Sequence, residues 1–333
     1  QDMVLYRGAS GKVVMLDAYC PHMGTHLGMS ENSATVLDGT FLEGDSIRCP
    51  FHAWRFGSDG VCNHIPYHDG PIPKAARVKS WHVEERWGIV FCWHDPENQA
   101  PDIYLPEIPE WDDPQYIRWP GLDHVANLNH AVEVFDNVSD APHLNHLHGS
   151  YVVAYENEVD GNYYHQRNTM ADGYMANAPG SDLLRAATGR TTTTVGTYHG
   201  PGIMVARFVE ADAVQLLLAT PIDDGTSWIN VVVALKCPTG QIDEEWKERR
   251  RQFSSLVVDG LRRDGEVWVH KKPAVRILQL PSDGPFLQAR AWYSQFFNPR
   301  AKAAEILKPV AGVHLVKNIA PWTGSEFDKA TSA

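Results

Sequence analysis

Long apolar runs are absent from this 333-residue sequence: nothing approaches the roughly 18 consecutive apolar residues of a membrane-spanning helix. The first 20 residues also lack the charged-then-apolar order of a signal peptide. No membrane span is expected, and the cytoplasm is the expected compartment. Basic charge is in deficit, with 29 Lys and Arg against 41 Asp and Glu for a net charge of -12. That balance disfavours nucleic acid or an anionic membrane surface as the main partner. Cysteine is scarce: Cys20, Cys49, Cys62, Cys92 and Cys237 are an odd number and too few for a disulfide scaffold of this length. Reduced thiols in a reducing compartment fit better. Internal repeats and low-complexity tracts are missing too. The chain opens at Gln1 and enters the strand-like Met3-Val4-Leu5-Tyr6 at once, so a preceding segment is expected to have been cut or left out.

The sequence has 43% hydrophobic and 21% charged residues, enough for one large core or two smaller ones, and two domains are expected. Residues 1–100 read as short β-rich runs broken by Gly, Asp and Pro, among them VLYRG, KVVMLDAY, DSIRCPF and WGIVFCW. A Pro- and acid-rich passage follows, whose prolines suit neither a helix interior nor a central strand, and 101–114 is taken as a linker. In the remaining 115–333, Leu128, Val132, Phe135 and Val138 have helical spacing. Runs such as RTTTTVGTY, IMVARFVE, AVQLLLATP and SWINVVVALK predict antiparallel strands, and 242–271 predicts a long helix opened by Asp243 and closed before Pro273.

Sixteen histidines are many, and their spacing is informative. CPHMG at 20–24 and CPFHAW at 49–54 give Cys20-x-His22, 26 intervening residues, then Cys49-x-x-His52. Each half presents one thiolate and one imidazole. A zinc site also takes Cys and His, but Cys-x-His is shorter than the usual zinc loop, and a proline directly follows each cysteine. A Rieske 2Fe-2S cluster needs two thiolates on one iron and two imidazoles on the other, which two mixed loops supply. His26, His64 and His68 match no ligand position and read as loop histidines; Cys62 and Cys92 read as small buried thiols.

The segment DNVSDAPHLNHLH holds Asp140, His143, His146 and His148. Two histidines and a carboxylate are the ligand set of non-haem Fe(II) oxygenases. On a regular helix His143 and His146 would share a face, whereas His143 and His148 would not, so spacing alone leaves the pair open. A carboxylate is offered by the long helix, where the apolar face marked by Phe253, Leu256, Val257, Leu261 and Trp268 passes through Asp264. The bland alternative is a buried pair with Arg262 or Arg263.

The two cysteine loops resemble the binding loops of the Rieske non-haem iron oxygenases, although the 26-residue gap is longer than usual in that family. The excess, about Ser30 to Leu37, is expected to be a surface loop. The second motif is similar to the family's Asp-x2-His-x4-His, which implies His143 and His148 as iron ligands and Asp140 as the residue linking one subunit's iron site to a cluster histidine of its neighbour. RRDGEVWVHK resembles the segment that gives the third ligand, implying Asp264, with Asp259 as the fallback. The stretches GVCNHIPY, ARVKSWHVEERWGIVFCWHDPE and DGPFLQARAWYSQFF look similar to the oxygenase components of 3-ketosteroid 9α-hydroxylases and to cholesterol 7-desaturases.

The fold so implied is α+β: an all-β Rieske domain, then a helix-grip (START-like) catalytic domain with an antiparallel sheet. Implied cofactors are the cluster on Cys20, His22, Cys49 and His52, a mononuclear Fe(II), and O2 as co-substrate. Implied partners are a separate NAD(P)H-dependent reductase or ferredoxin, a hydrophobic small molecule, and further copies in a homotrimer. No G-x-G-x-x-G follows a strand, so the reductase is expected on another polypeptide. Hydroxylation of a steroid is the expected reaction; desaturation or oxidative demethylation share the same iron, and an electron-transfer or lipid-binding protein without catalysis is the alternative class. Asn137, Tyr198, Met204, Phe208, Trp292 and Phe296 are pocket candidates, although core packing accounts for such residues equally well.

Overall fold

The computed structural model describes residues 1–171 and 191–322, which fall into two compact units divided between Pro101 and Asp102. In the first unit β1 (Met3–Arg7) pairs antiparallel with β2 (Val13–Asp17). Alternation along β2 buries Val14 and Leu16 while their neighbours stay at the surface. The short helix α1 (Ala34–Leu37) buries no residue, so the excess in the gap between the cysteine loops, about Ser30 to Leu37, is a surface excursion with one helical turn. β3 (Leu42–Glu43), β4 (Ser46–Arg48), β5 (Arg55–Phe56) and β6 (Cys62–His64) make a small antiparallel sheet, and β7 (His82–Arg86) pairs with β8 (Ile89–Trp93). Leu16, Leu27, Ile47 and Phe56 form the core, and Cys20, Cys49 and Cys62 pack into it. Cys92 departs from expectation: on β8 it is exposed, because the two-stranded sheet leaves that face uncovered in the chain.

The second unit is an antiparallel sheet that grips a long helix. β9 (Tyr116–Ile117) and β10 (Asp123–Asn129) lead to α2 (Ala131–Asp136) and α3 (Ala141–His146). Leu128 therefore belongs to a strand, and the helix opens only after His130, whose Nδ1 accepts from the Val132 N–H. β11 (Tyr151–Asp160), β12 (Tyr163–Ala171), β13 (Thr191–His199), β14 (Ile203–Phe208), β15 (Ala213–Pro221) and β16 (Thr226–Lys236) follow as antiparallel neighbours. β10 closes the β16 edge, and β17 (Gly312–Leu315) adds to β11.

α4 (Glu244–Trp268) packs on β10 and β16. Asp243 caps it by accepting from the Trp246 N–H at 3.0 Å, and Glu244 and Glu245 in the first turn favour the positive end of the helix dipole. Phe253, Leu256, Val257 and Trp268 enter the core with Phe135, Tyr164, Tyr198 and Trp292. α5 (Phe286–Ser294) contributes that tryptophan, and α6 (Ala303–Leu307) packs beside α5. The Pro-rich passage is strapped to the sheet: Arg207 of β14 donates to both carboxylate oxygens of buried Glu110, at 2.6 and 3.1 Å.

Candidate metal centres

The two cysteine loops share one hydrogen-bond plan. The Cys20 N–H donates to the Thr25 carbonyl and the Gly24 N–H to the Cys20 carbonyl, each at 2.9 Å. In the second loop the Cys49 N–H donates to the Trp54 carbonyl at 2.8 Å, and the Ala53 N–H to the Cys49 carbonyl at 3.0 Å. The turn needs positive φ at its fifth residue, which Gly24 supplies at 73° without cost, while Ala53 holds 56° against its own Cβ. Both thiols are 2% exposed and face each other. The Cys20 thiol donates to the Cys49 sulfur, and with the N–H groups of Phe51 and His52 this pulls the Cys49 thiol down to about 6 while Cys20 is pushed up. Cys49, drawn toward thiolate by these donors, and Cys20 facing it place two sulfurs where one iron could be held.

The imidazoles lie outward of the thiols. His22 is exposed, its ring centroid 4.8 Å from that of the half-buried His52. His22 stacks on Trp54 at 4.5 Å, and the Trp54 Nε1–H donates to the Tyr67 hydroxyl at 2.6 Å. Trp54 was legible inside CPFHAW; the part played by Tyr67 had no sequence signal. His26 accepts from the Gly28 N–H and His68 lies 3.3 Å from the Pro71 carbonyl, ordinary roles for loop histidines.

In the second unit His143, His148 and Asp264 bring one ligand atom each within 4.8 Å of one another. α3 makes this possible for histidines five apart. It opens at Asp140, whose carboxylate caps it by accepting from the His143 N–H at 3.2 Å, and it ends at once. In the last turn the His148 N–H reaches the His143 carbonyl at 3.3 Å, a five-residue step that swings both rings to one side at 5.3 Å and 78°. The backbone carbonyl of Asp140 accepts from His143 Nδ1, which leaves Nε2 with its lone pair free. His146 is exposed and outside the group.

Asp264 is 2% exposed, with Oδ1 3.1 Å from His148 Nε2. The bland alternative is not realised with Arg262, which pairs instead with Asp259, both of them exposed. Among the described residues no Lys or Arg pairs with Asp264. A buried carboxylate answered only by imidazole is costly, and a divalent cation between the three groups resolves that cost. The donor set therefore fits a mononuclear iron.

A cavity of about 300 Å³ has Asp140 and Asn137 in its wall together with Trp268, Ile277, Leu278 and Phe286. Of the pocket candidates only Asn137 is there. Tyr198, Met204 and Trp292 are buried in the main core and Phe208 and Phe296 pack against it, so core packing accounts for them. Glu133, Asp136 and Lys271 also line the cavity, charges that had no sequence signal: buried Glu133 pairs with Lys271, and buried Asp136 with Arg290.

A model of the Rieske [2Fe-2S] domain matches residues 1–82, and a model of the 3-ketosteroid 9α-hydroxylase C-terminal domain matches residues 92–297. The 3-ketosteroid-9-alpha-monooxygenase oxygenase component of Mycolicibacterium smegmatis is 30% identical over 89% of this chain and 75% of its own length. Cholesterol 7-desaturase of Hemicentrotus pulcherrimus is 27% identical over 92% of this chain and 66% of its own. Among solved structures, dicamba monooxygenase bound to dicamba shares the fold with a TM-score of 0.65 at 19% identity, covering 91% of both chains. NdmA of Pseudomonas putida CBB5 with caffeine does so with a TM-score of 0.66 at 17% identity, covering 97% of this chain and 88% of its own. The chain belongs to the 3-ketosteroid 9α-hydroxylase family of Rieske oxygenases, as an oxygenase component whose cofactors are a Rieske 2Fe-2S cluster and a mononuclear iron and whose co-substrate is O2.

Proposed function

We propose that this chain is the terminal oxygenase of a Rieske monooxygenase system that hydroxylates a hydrophobic steroid, as the relatives named for 3-ketosteroids do. Cys20, His22, Cys49 and His52 hold the cluster in this reading, and His143, His148 and Asp264 hold the iron. The observation that carries it is the buried, otherwise unpaired Asp264 facing two imidazoles beside a partly apolar cavity. When bound, the cluster passes single electrons and the iron activates dioxygen.

The chain's own residues do the positioning. Asp140 fixes the His143 tautomer through its carbonyl and leaves its carboxylate, 3.8 Å from His143 Nδ1, as a link toward a neighbouring chain. Trp268, Ile277 and Phe286 keep water from the reacting carbon and hold an apolar skeleton. An oxygenase component needs electrons from a separate reductase, and the link through Asp140 supports a homotrimer in which electrons cross between chains. Among the described residues no helix is long and apolar enough to cross a membrane.

The test is iron and acid-labile sulfide on anaerobically purified protein, then turnover of a 3-ketosteroid with a reductase. The expected content is about three irons and about two sulfides per chain. Asp264→Ala should fall to about two irons with the visible spectrum of the cluster intact. Two irons in both proteins would leave an electron carrier joined to a lipid-binding domain. The desaturase relative supports a second reaction on the same iron, and the product decides: hydroxylation adds one oxygen, desaturation removes two hydrogens.

A further inference from the structure

The chain carries a net charge of -12, yet 262–276 reads RRDGEVWVHKKPAVR, five basic side chains against two acidic, and one of those acids is the buried Asp264. The same stretch and its continuation expose apolar side chains: Val267 at 51%, Val269 at 51%, Val275 at 88%, Leu278 at 90% and Leu280 at 54%. Single exposed apolar residues are ordinary, but a run of them with two almost wholly in water marks an interaction surface. This stretch is not frayed. The Ala274 N–H donates to Glu133 at 3.3 Å and its carbonyl accepts from Arg290, while Gln279 accepts from the Leu287 N–H at 2.9 Å and Asp283 from the Leu280 N–H at 2.8 Å. Val275 and Leu278 are thus held outward. Lys271 is answered by Glu133 and Arg262 by Asp259, whereas Lys272 and Arg276 have no acidic partner among the described residues.

Through Lys271, Ala274 and Ile277 this segment lines the cavity that reaches Asn137 and Asp140, and its exposed Arg276 and Leu278 line the open rim. We propose that its outer side docks on an anionic phospholipid surface, with Val275 and Leu278 at headgroup depth and Lys272 and Arg276 on lipid phosphates. An apolar substrate then passes from lipid into the cavity without crossing water. The inference rests on the reading of that cavity as the site of a hydrophobic substrate. Cations set among apolar side chains match an anionic lipid interface, and the acidic remainder of the chain, repelled by it, leaves one orientation. A protein partner on the same face would close the cavity's rim, which lipid keeps supplied.

The test is flotation of the holoprotein with vesicles of phosphatidylcholine alone and of phosphatidylcholine with phosphatidylglycerol. Binding is expected only to the second, and Lys272→Glu with Val275→Ser should weaken it by about tenfold or more. Neither residue lines the cavity, so turnover of cyclodextrin-solubilised steroid should not change. Absence of flotation, or equal flotation on both vesicle types, overturns the proposal. So does a solution mass that drops in the double variant, which assigns the patch to a second copy of the chain. Failure of the unmodified protein to turn over solubilised steroid overturns the substrate reading instead, because flotation is scored without substrate.

Discussion

A Cβ at position 284 would lie 1.2 Å from the Ser139 carbonyl oxygen and 3.2 Å from the Asp140 nitrogen, so only glycine lets that segment rest on the loop bearing Asp140. The loop is fixed from its other side as well. The Val138 carbonyl accepts from the Tyr155 hydroxyl at 2.8 Å and from Asn157 Nδ2 at 2.7 Å, and the Ser139 and Tyr164 hydroxyls meet at 2.7 Å. Gly284→Ala must therefore displace backbone against backbone. A loss of about 2 kcal/mol in stability is expected, with lowered mononuclear iron content and an unchanged cluster spectrum, read by urea unfolding and iron assay. His199 sets a different residue-scale expectation. Burial, with His165 and Arg207 adding to it, lowers it from its ordinary 6.5 to about 4. Above pH 6.5 both folded and unfolded chains carry it neutral and it contributes nothing; as pH falls toward 4 the unfolded chain takes up a proton that the fold refuses. Stability should decline by up to ~3 kcal/mol across that window, and His199→Gln should flatten the slope in urea unfolding at successive pH values. The proposed metal ligands could be picked out because few residue types hold iron and the spacing within each motif is short. Gly284 and His199 were not, since a close approach between positions 139 and 284, or the partial burial of the last residue of β13, leaves no mark in local sequence.

At the scale of elements, the strands of the large sheet and the long helix were legible from period and capping: Asp243 opens α4 and the chain leaves it before Pro273. Leu128 was misread because the apolar positions 128, 132 and 135 satisfy a helical spacing, while the chain changes from strand to helix at His130. The convergence of His143 and His148 depended on the short α3 and its wide last turn, which spacing on a regular helix argues against. The Pro-rich passage carried a signal only for what it cannot form; its attachment to β14 through Glu110 and Arg207 joins residues almost a hundred positions apart. That pair is buried at both ends. Arg207→Met leaves the Glu110 carboxylate without its cation and should cost about 3 kcal/mol or more in urea unfolding. Adding Glu110→Gln should recover much of the loss, which separates an uncompensated charge from a lost packing contact.

At the scale of the whole molecule, the two candidate centres lie in different units, with the Cys/His loops before Pro101 and the His143, His148 and Asp264 group after it. Electrons can pass from cluster to iron within one chain or, as the proposed trimer requires, from one chain to the next, and complementation separates the two. Cys49→Ser removes a cluster ligand and keeps the iron triad; Asp264→Ala does the reverse. Each variant alone should be inactive with reductase, steroid and O2. In mixed oligomers made by co-expression, transfer between chains should restore roughly a quarter of wild-type activity, because half the chains retain the iron triad and half of those face a neighbour that retains the cluster. Transfer within a chain restores nothing, since no chain then holds both centres. Mixing the two purified variants without subunit exchange should also restore nothing, which makes co-assembly the cause of any recovery. Restored product in the co-expressed sample would give Asp140 a specific task, as the carboxylate beside His143 through which a neighbouring chain's electron arrives.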